Sequence, residues 1–146
     1  MRLSRFVLAC AVLLVVSLAW NGLLHLVLLR GVEAAARALY RTDLADRLWL
    51  SLAGAAAVVV LFVAGYRRFA RVGSAREAAG YGLSFALVAG ALVDLNQYVL
   101  FPIPGRLACL WFLGGLVEFT AYGLIVRAVV PPLSRAAAAS PVGRGA

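Results

Sequence analysis

His25, Asp94 and Glu118 are ionisable residues set inside long apolar runs, in a 146-residue chain that carries six acids and one histidine in all. A charge at membrane depth costs roughly 2.5–3.5 kcal/mol on insertion scales, so residues of this kind face the interior of a bundle and mark a function. Asp94 is placed to pair with a protonated His25. Asp94 and Glu118 form a general acid/base pair only if they come within reach of each other. Metal or haem ligation by His25 needs a second strong ligand, and the surrounding sequence supplies none at ligand spacing. The bland alternative for each residue is a hydrogen bond that locks one helix to the next.

The elements that must position these residues follow from composition. The chain is 64% hydrophobic and 14% charged, with a mean hydropathy of +0.96, values that do not fit a soluble domain of this size. A membrane-spanning helix needs about 20 mostly apolar residues, and the stretches 6–29, 48–66, 79–101 and 107–130 qualify. They use up nearly the whole chain as one domain, 1–132, and leave no room for a soluble catalytic domain. Residues 133–146, rich in Ala, Ser, Pro and Gly, read as a disordered tail. The expected fold is therefore all-α, an integral membrane four-helix bundle.

All 14 basic residues are arginines spread over the span ends, with no aromatic-interleaved basic stripe, which argues against nucleic acid as a partner. Their distribution instead sets topology, because Arg-rich short loops stay on the cytoplasmic side. Nine (Arg2, Arg5, Arg67, Arg68, Arg71, Arg76, Arg127, Arg135 and Arg144) fall on the side of the termini and five (Arg30, Arg37, Arg41, Arg47 and Arg106) on the other. Both termini are expected to be cytoplasmic. The first span resembles a signal peptide around Ser17, Leu18 and Ala19, but its apolar run is longer than a 7–15-residue signal core, so it reads as uncleaved.

Helical spacing decides which faces meet. Gly82, Ala86 and Gly90 recur every four residues, the small-residue pattern that lets helices approach closely, and Asp94 and Tyr98 continue that stripe. Ser17, Asn21 and His25 make a second stripe, and Gly115, Glu118 and Tyr122 a third. At 1.5 Å per residue, His25 lies about 7 Å below the outer boundary, Asp94 about 10 Å, Asn21 about 13 Å and Glu118 about 18 Å. Gln97 and Ser51 sit shallower. Together these positions describe a polar cleft in the outer half of the bilayer, with Asn21, His25, Asp94, Gln97, Glu118 and Tyr122 as its binding residues and Gly82, Ala86, Gly90 and Gly115 as helix-packing positions.

In the outer connection 30–47, Arg30, Glu33, Arg37 and Arg41 lie opposite Val32, Ala36, Leu39 and Tyr40, the pattern of an amphipathic helix on the membrane surface. It is either a solvated face with a Glu33–Arg37 pair or a docking surface, and Thr42 or Asp43 is placed to cap the next span. Pro102, Pro104 and Gly105 make the second outer connection a tight reversal. Pro131 and Pro132 end the fourth span. Cys10 and Cys109 fall at opposite ends of their spans, some 20 Å apart by helical rise, so both should be free thiols acting as small core residues. Trp20, Trp49, Tyr66, Trp111 and Phe112 read as belt or core aromatics.

Three segments, Asn21 to His25, Tyr98 to Pro104 and Trp111 to Leu116, resemble those of a group of small bacterial four-helix integral membrane proteins with no known activity. The resemblance implies a four-helix fold in a bacterial cytoplasmic membrane and carries over no site residues. The leading expectation is a small binding or transport module that handles a proton, cation or small polar solute without a cofactor, as a homo-oligomer. A second is an accessory subunit of a larger membrane complex, and a membrane enzyme using His25 with Asp94 ranks third.

Overall fold

The computed structural model describes residues 3–69 and 74–130, and among them every regular element is helical. In chain order these are α1 (Leu3–Leu28), the short α2 (Arg30–Glu33) followed by a 3-10 helix (Ala34–Leu39), α3 (Ala45–Phe69), α4 (Ala75–Leu100) and α5 (Gly105–Val129). All but α2 and the 3-10 helix are long and apolar enough to cross a membrane. Their ends lie within four residues of those expected. The expected tail 133–146 and its preceding prolines lie outside the described residues.

Local chemistry explains most boundaries. Ser74 caps α4, its Oγ accepting from the Glu77 N–H at 3.1 Å in the Ser-x-x-Glu arrangement of a capping box. The reversal between α4 and α5 is made by residues 101–104. Phe101 is extended (φ −124°, ψ 146°), Ile103 N–H donates to Phe101 O at 2.7 Å, and Leu107 N–H returns to Pro104 O at 2.8 Å. Gly105, expected to supply the turn, is instead the first residue of α5. The two prolines suffice, since each fixes φ and removes a donor.

α4 and α5 pack most closely. Ala78, Gly82, Ala86 and Gly90 are all buried, and a Cβ at Gly82 would run into the Phe119 carbonyl while one at Gly123 would meet the Ala78 carbonyl. The small stripe thus brings backbone against backbone. Gly115 is a correction, because nothing lies within 4 Å of where its Cβ would be. The close contact with α1 falls one residue earlier, at Gly114 against Leu24, because consecutive residues on a helix point about 100° apart.

One core joins Leu13 of α1, Phe62 and Val63 of α3, Ala78 of α4 and Tyr122 and Val126 of α5. Phe62 is its hub, edge-on to Tyr81 at 5.0 Å and to Tyr122 at 5.6 Å between ring centroids. A second core, at the opposite end, joins Leu24 and Leu29 to Ala36, Ile103, Leu107 and Ala108. It folds the segment after α1 onto the start of α5. Cys10 and Cys109 are free; Cys10 packs on the first core, whereas Cys109 is exposed rather than in a core.

Two stretches leave α-helical winding. Gly22–Leu28 in α1 and Ala91–Leu95 in α4 are π-helical, and Leu29 N–H reaches five residues back to Leu24 O at 2.8 Å. Such rewound segments recur at functional sites. One contains His25 and the other Asp94.

Candidate binding cleft

The deeper polar layer is built on Glu118. Its Oε1 accepts from Ser17 Oγ at 3.0 Å, Asn21 Nδ2 at 3.1 Å and Tyr122 Oη at 2.5 Å. Ser17 and Asn21 stand one turn apart on α1, and Tyr122 one turn from Glu118 on α5, so the four-residue spacing delivers all three donors to one oxygen. Asn21 also bonds the Ser17 carbonyl at 3.0 Å. The bonds from Ser17 and Asn21 tie α1 to α5 through this one oxygen. Trp20 adds a further tie, from Nε1 to Gly114 O at 3.2 Å.

The shallower layer is built on Glu33. This residue is only 8% exposed, and its Oε1 accepts from Trp111 Nε1 at 3.0 Å and from His25 Nδ1. The expected solvated Glu33–Arg37 pair is therefore replaced by an inward carboxylate, and the expected His25–Asp94 pair by His25–Glu33. A local departure from helical winding at Leu29 (φ −99°, ψ 0°) is the cause: the turns that follow bury Leu29 and Ala36 against Leu107 and Ala108, and Glu33 is buried with them.

Between the two layers lies a cavity of about 720 Å³. Asn21, His25, Asp94, Gln97 and Glu118 all line it, together with Phe85, Phe119 and Trp111. Gly115 lines it as well, which is where its stripe leads. Tyr122 does not; it stands behind Glu118, 1% exposed, as a positioning residue. Asp94, Gln97 and the Nε2 of His25 make no hydrogen bond to another described residue, and neither does Oε2 of Glu118. No buried side-chain polar atom lacks a partner among the described residues, so these groups open onto the cavity rather than into packed protein.

Sequence reasoning missed Glu33 and Trp111 as parts of the site. Only one signal existed for Glu33, its lying eight residues from His25, and helical periodicity through 30–41 pointed it outward. Thr42 or Asp43 is the expected cap of α3; Asp43 instead accepts from Arg41 Nε at 2.7 Å and from Arg47 Nε at 2.6 Å. The Arg41 and Arg47 guanidiniums hold its carboxyl below the usual carboxylate range. Leu44 precedes the first turn of α3 without a side-chain cap.

Comparison with protein-family models, with curated proteins and with solved structures gives no match. Among the described residues no group of three or more His, Cys, Asp and Glu side chains is gathered as a metal site would require.

Proposed function

We propose that the chain is a small multi-pass protein of a bacterial cytoplasmic membrane, with both termini in the cytoplasm, that binds a proton, cation or small polar solute in the cleft and passes it across the bilayer. The observation that carries this reading is the convergence of Asp94, Glu118 and His25, from three different helices, on one cavity in which they keep unused hydrogen-bonding capacity. Purely structural polar residues would spend that capacity on one another, as Ser17 and Tyr122 do on Glu118. Four helices enclose little volume, which favours a homo-oligomer. The test is proton and cation flux in phospholipid vesicles containing the purified protein. Flux that disappears in Asp94→Asn supports the reading. No flux of any probe, with isolation only as part of a larger complex, would make the chain an accessory subunit instead.

A further inference from the structure

The cleft walls narrow the choice of solute. Its lining includes two acids, Asp94 and Glu118, and no arginine. The one basic group there, His25, has its Nδ1 engaged by Glu33. An anion would meet uncompensated carboxylates. A sugar-like solute would find too few polar partners, since twelve of the seventeen lining residues are apolar. A bare inorganic cation that shed its water would find its oxygen ligands only at Asp94, Glu118, Asn21 and Gln97, in a lining where apolar residues predominate.

The remaining class fits both kinds of wall. We infer that the cleft takes a hydrophobic organic cation, a protonated or quaternary amine with aromatic or alkyl substituents. Its charge sits against Asp94 and the free Oε2 of Glu118, and its apolar body against Phe85, Phe119 and Trp111. Aromatic faces add cation–π attraction, which strengthens where water is excluded. The entrance is lateral. Val88, Leu92 and Val93 line the cavity and are also 62%, 69% and 51% exposed, so its rim is part of the apolar outer surface of α4. A solute already dissolved in lipid reaches the carboxylates without crossing the packed cores.

This inference rests on the cleft being the working site, and the experiment separates the two. Benzyltrimethylammonium and its uncharged carbon isostere neopentylbenzene are titrated calorimetrically into the full-length protein in mild detergent. The cation is expected to bind at least about tenfold more tightly than the isostere, a difference of about 1.4 kcal/mol. Asp94→Asn should lose that preference while keeping its melting temperature, because Asp94 donates to and accepts from no other described side chain. Val93→Trp, which fills the rim, should weaken the cation by a similar factor with the charge pair intact. Equal binding of the two probes, or a preference untouched by Asp94→Asn, overturns the inference. Absence of cation binding together with proton flux that depends on Asp94 overturns it too, and leaves the broader function standing. Loss of both binding and flux overturns both.

Discussion

Trp111 donates from its indole Nε1 to Oε1 of Glu33 across 3.0 Å, joining residues 78 positions apart. That bond and the one from His25 to the same oxygen hold the segment after α1 down on the start of α5. The roof of the cleft is therefore tied at a single carboxylate. Removing the carboxylate takes the acceptor from both the indole and the imidazole; an orphaned donor that water cannot reach costs about 1–3 kcal/mol, and the cost is smaller at His25, whose side chain is 37% exposed.

A double-mutant cycle on thermal unfolding in detergent measures this directly. His25→Leu and Glu33→Leu should couple by more than about 0.5 kcal/mol. The His25→Leu, Asp94→Asn cycle should give a smaller coupling, because those two side chains share a cavity and no hydrogen bond. The reverse ranking would put the imidazole on Asp94 and dismantle the roof described above.

The α4–α5 contact makes opposite demands on three glycines. Gly82→Ala and Gly123→Ala each push a methyl into a carbonyl of the facing helix, and overpacking of this kind costs about 1–3 kcal/mol. Gly115→Ala meets open space and should leave the melting temperature unchanged. Equal tolerance at all three positions would mean that α4 and α5 are farther apart than the backbone contact requires.

Glu118 should lose stability in steps as its donors are removed. Ser17→Ala and Tyr122→Phe each delete one hydrogen bond to Oε1, worth about 0.5–1.5 kcal/mol. Tyr122→Phe is the cleaner of the two, since the ring keeps its packing on Phe62. An unmoved unfolding midpoint in Ser17→Ala would mean that its bond does not tie α1 to α5, and one in Tyr122→Phe that the hydroxyl does not hold Glu118 in place.

Asp43 lies outside the long apolar segments and its titration is predictable in sign. Arg41 and Arg47 lower its value in the folded chain, so the clasp is fully present above the ordinary carboxylate pKa, about 3.9. It is lost as pH falls through the lower folded value. Carboxyl carbon chemical shifts followed by NMR should show a depressed midpoint, rising toward the ordinary value in Arg41→Gln, Arg47→Gln and in high salt. A midpoint insensitive to both would mean the clasp does not form.

The proposed topology rests on the distribution of the arginines. Reporter fusions after Arg71 and after Ala146 should both read cytoplasmic. A periplasmic signal at either position would reverse the proposed orientation.

The four long helices and their limits were legible in the sequence, because a run of apolar residues near 20 long is a local property and needs no knowledge of neighbours. So were the stripes through Gly82 and Ala86 and through Ser17 and Asn21, since regular winding alone puts such residues on one face. Tertiary structure decided the partners. Glu33 carries the periodicity of an exposed residue, and only the packing of its segment on Leu107 and Ala108 buries it and brings it to His25 and Trp111. The choice between Gly114 and Gly115 as the contact with α1 depends on how α5 is rotated about its axis, which the packing of Leu24 sets. Winding changes at Gly22–Leu28 and Ala91–Leu95 shift His25 and Asp94 away from the directions that regular α-helical spacing implies. A stretch of sequence specifies what a helix can bury; which acceptor a donor finds is settled only when the neighbouring helices close around it.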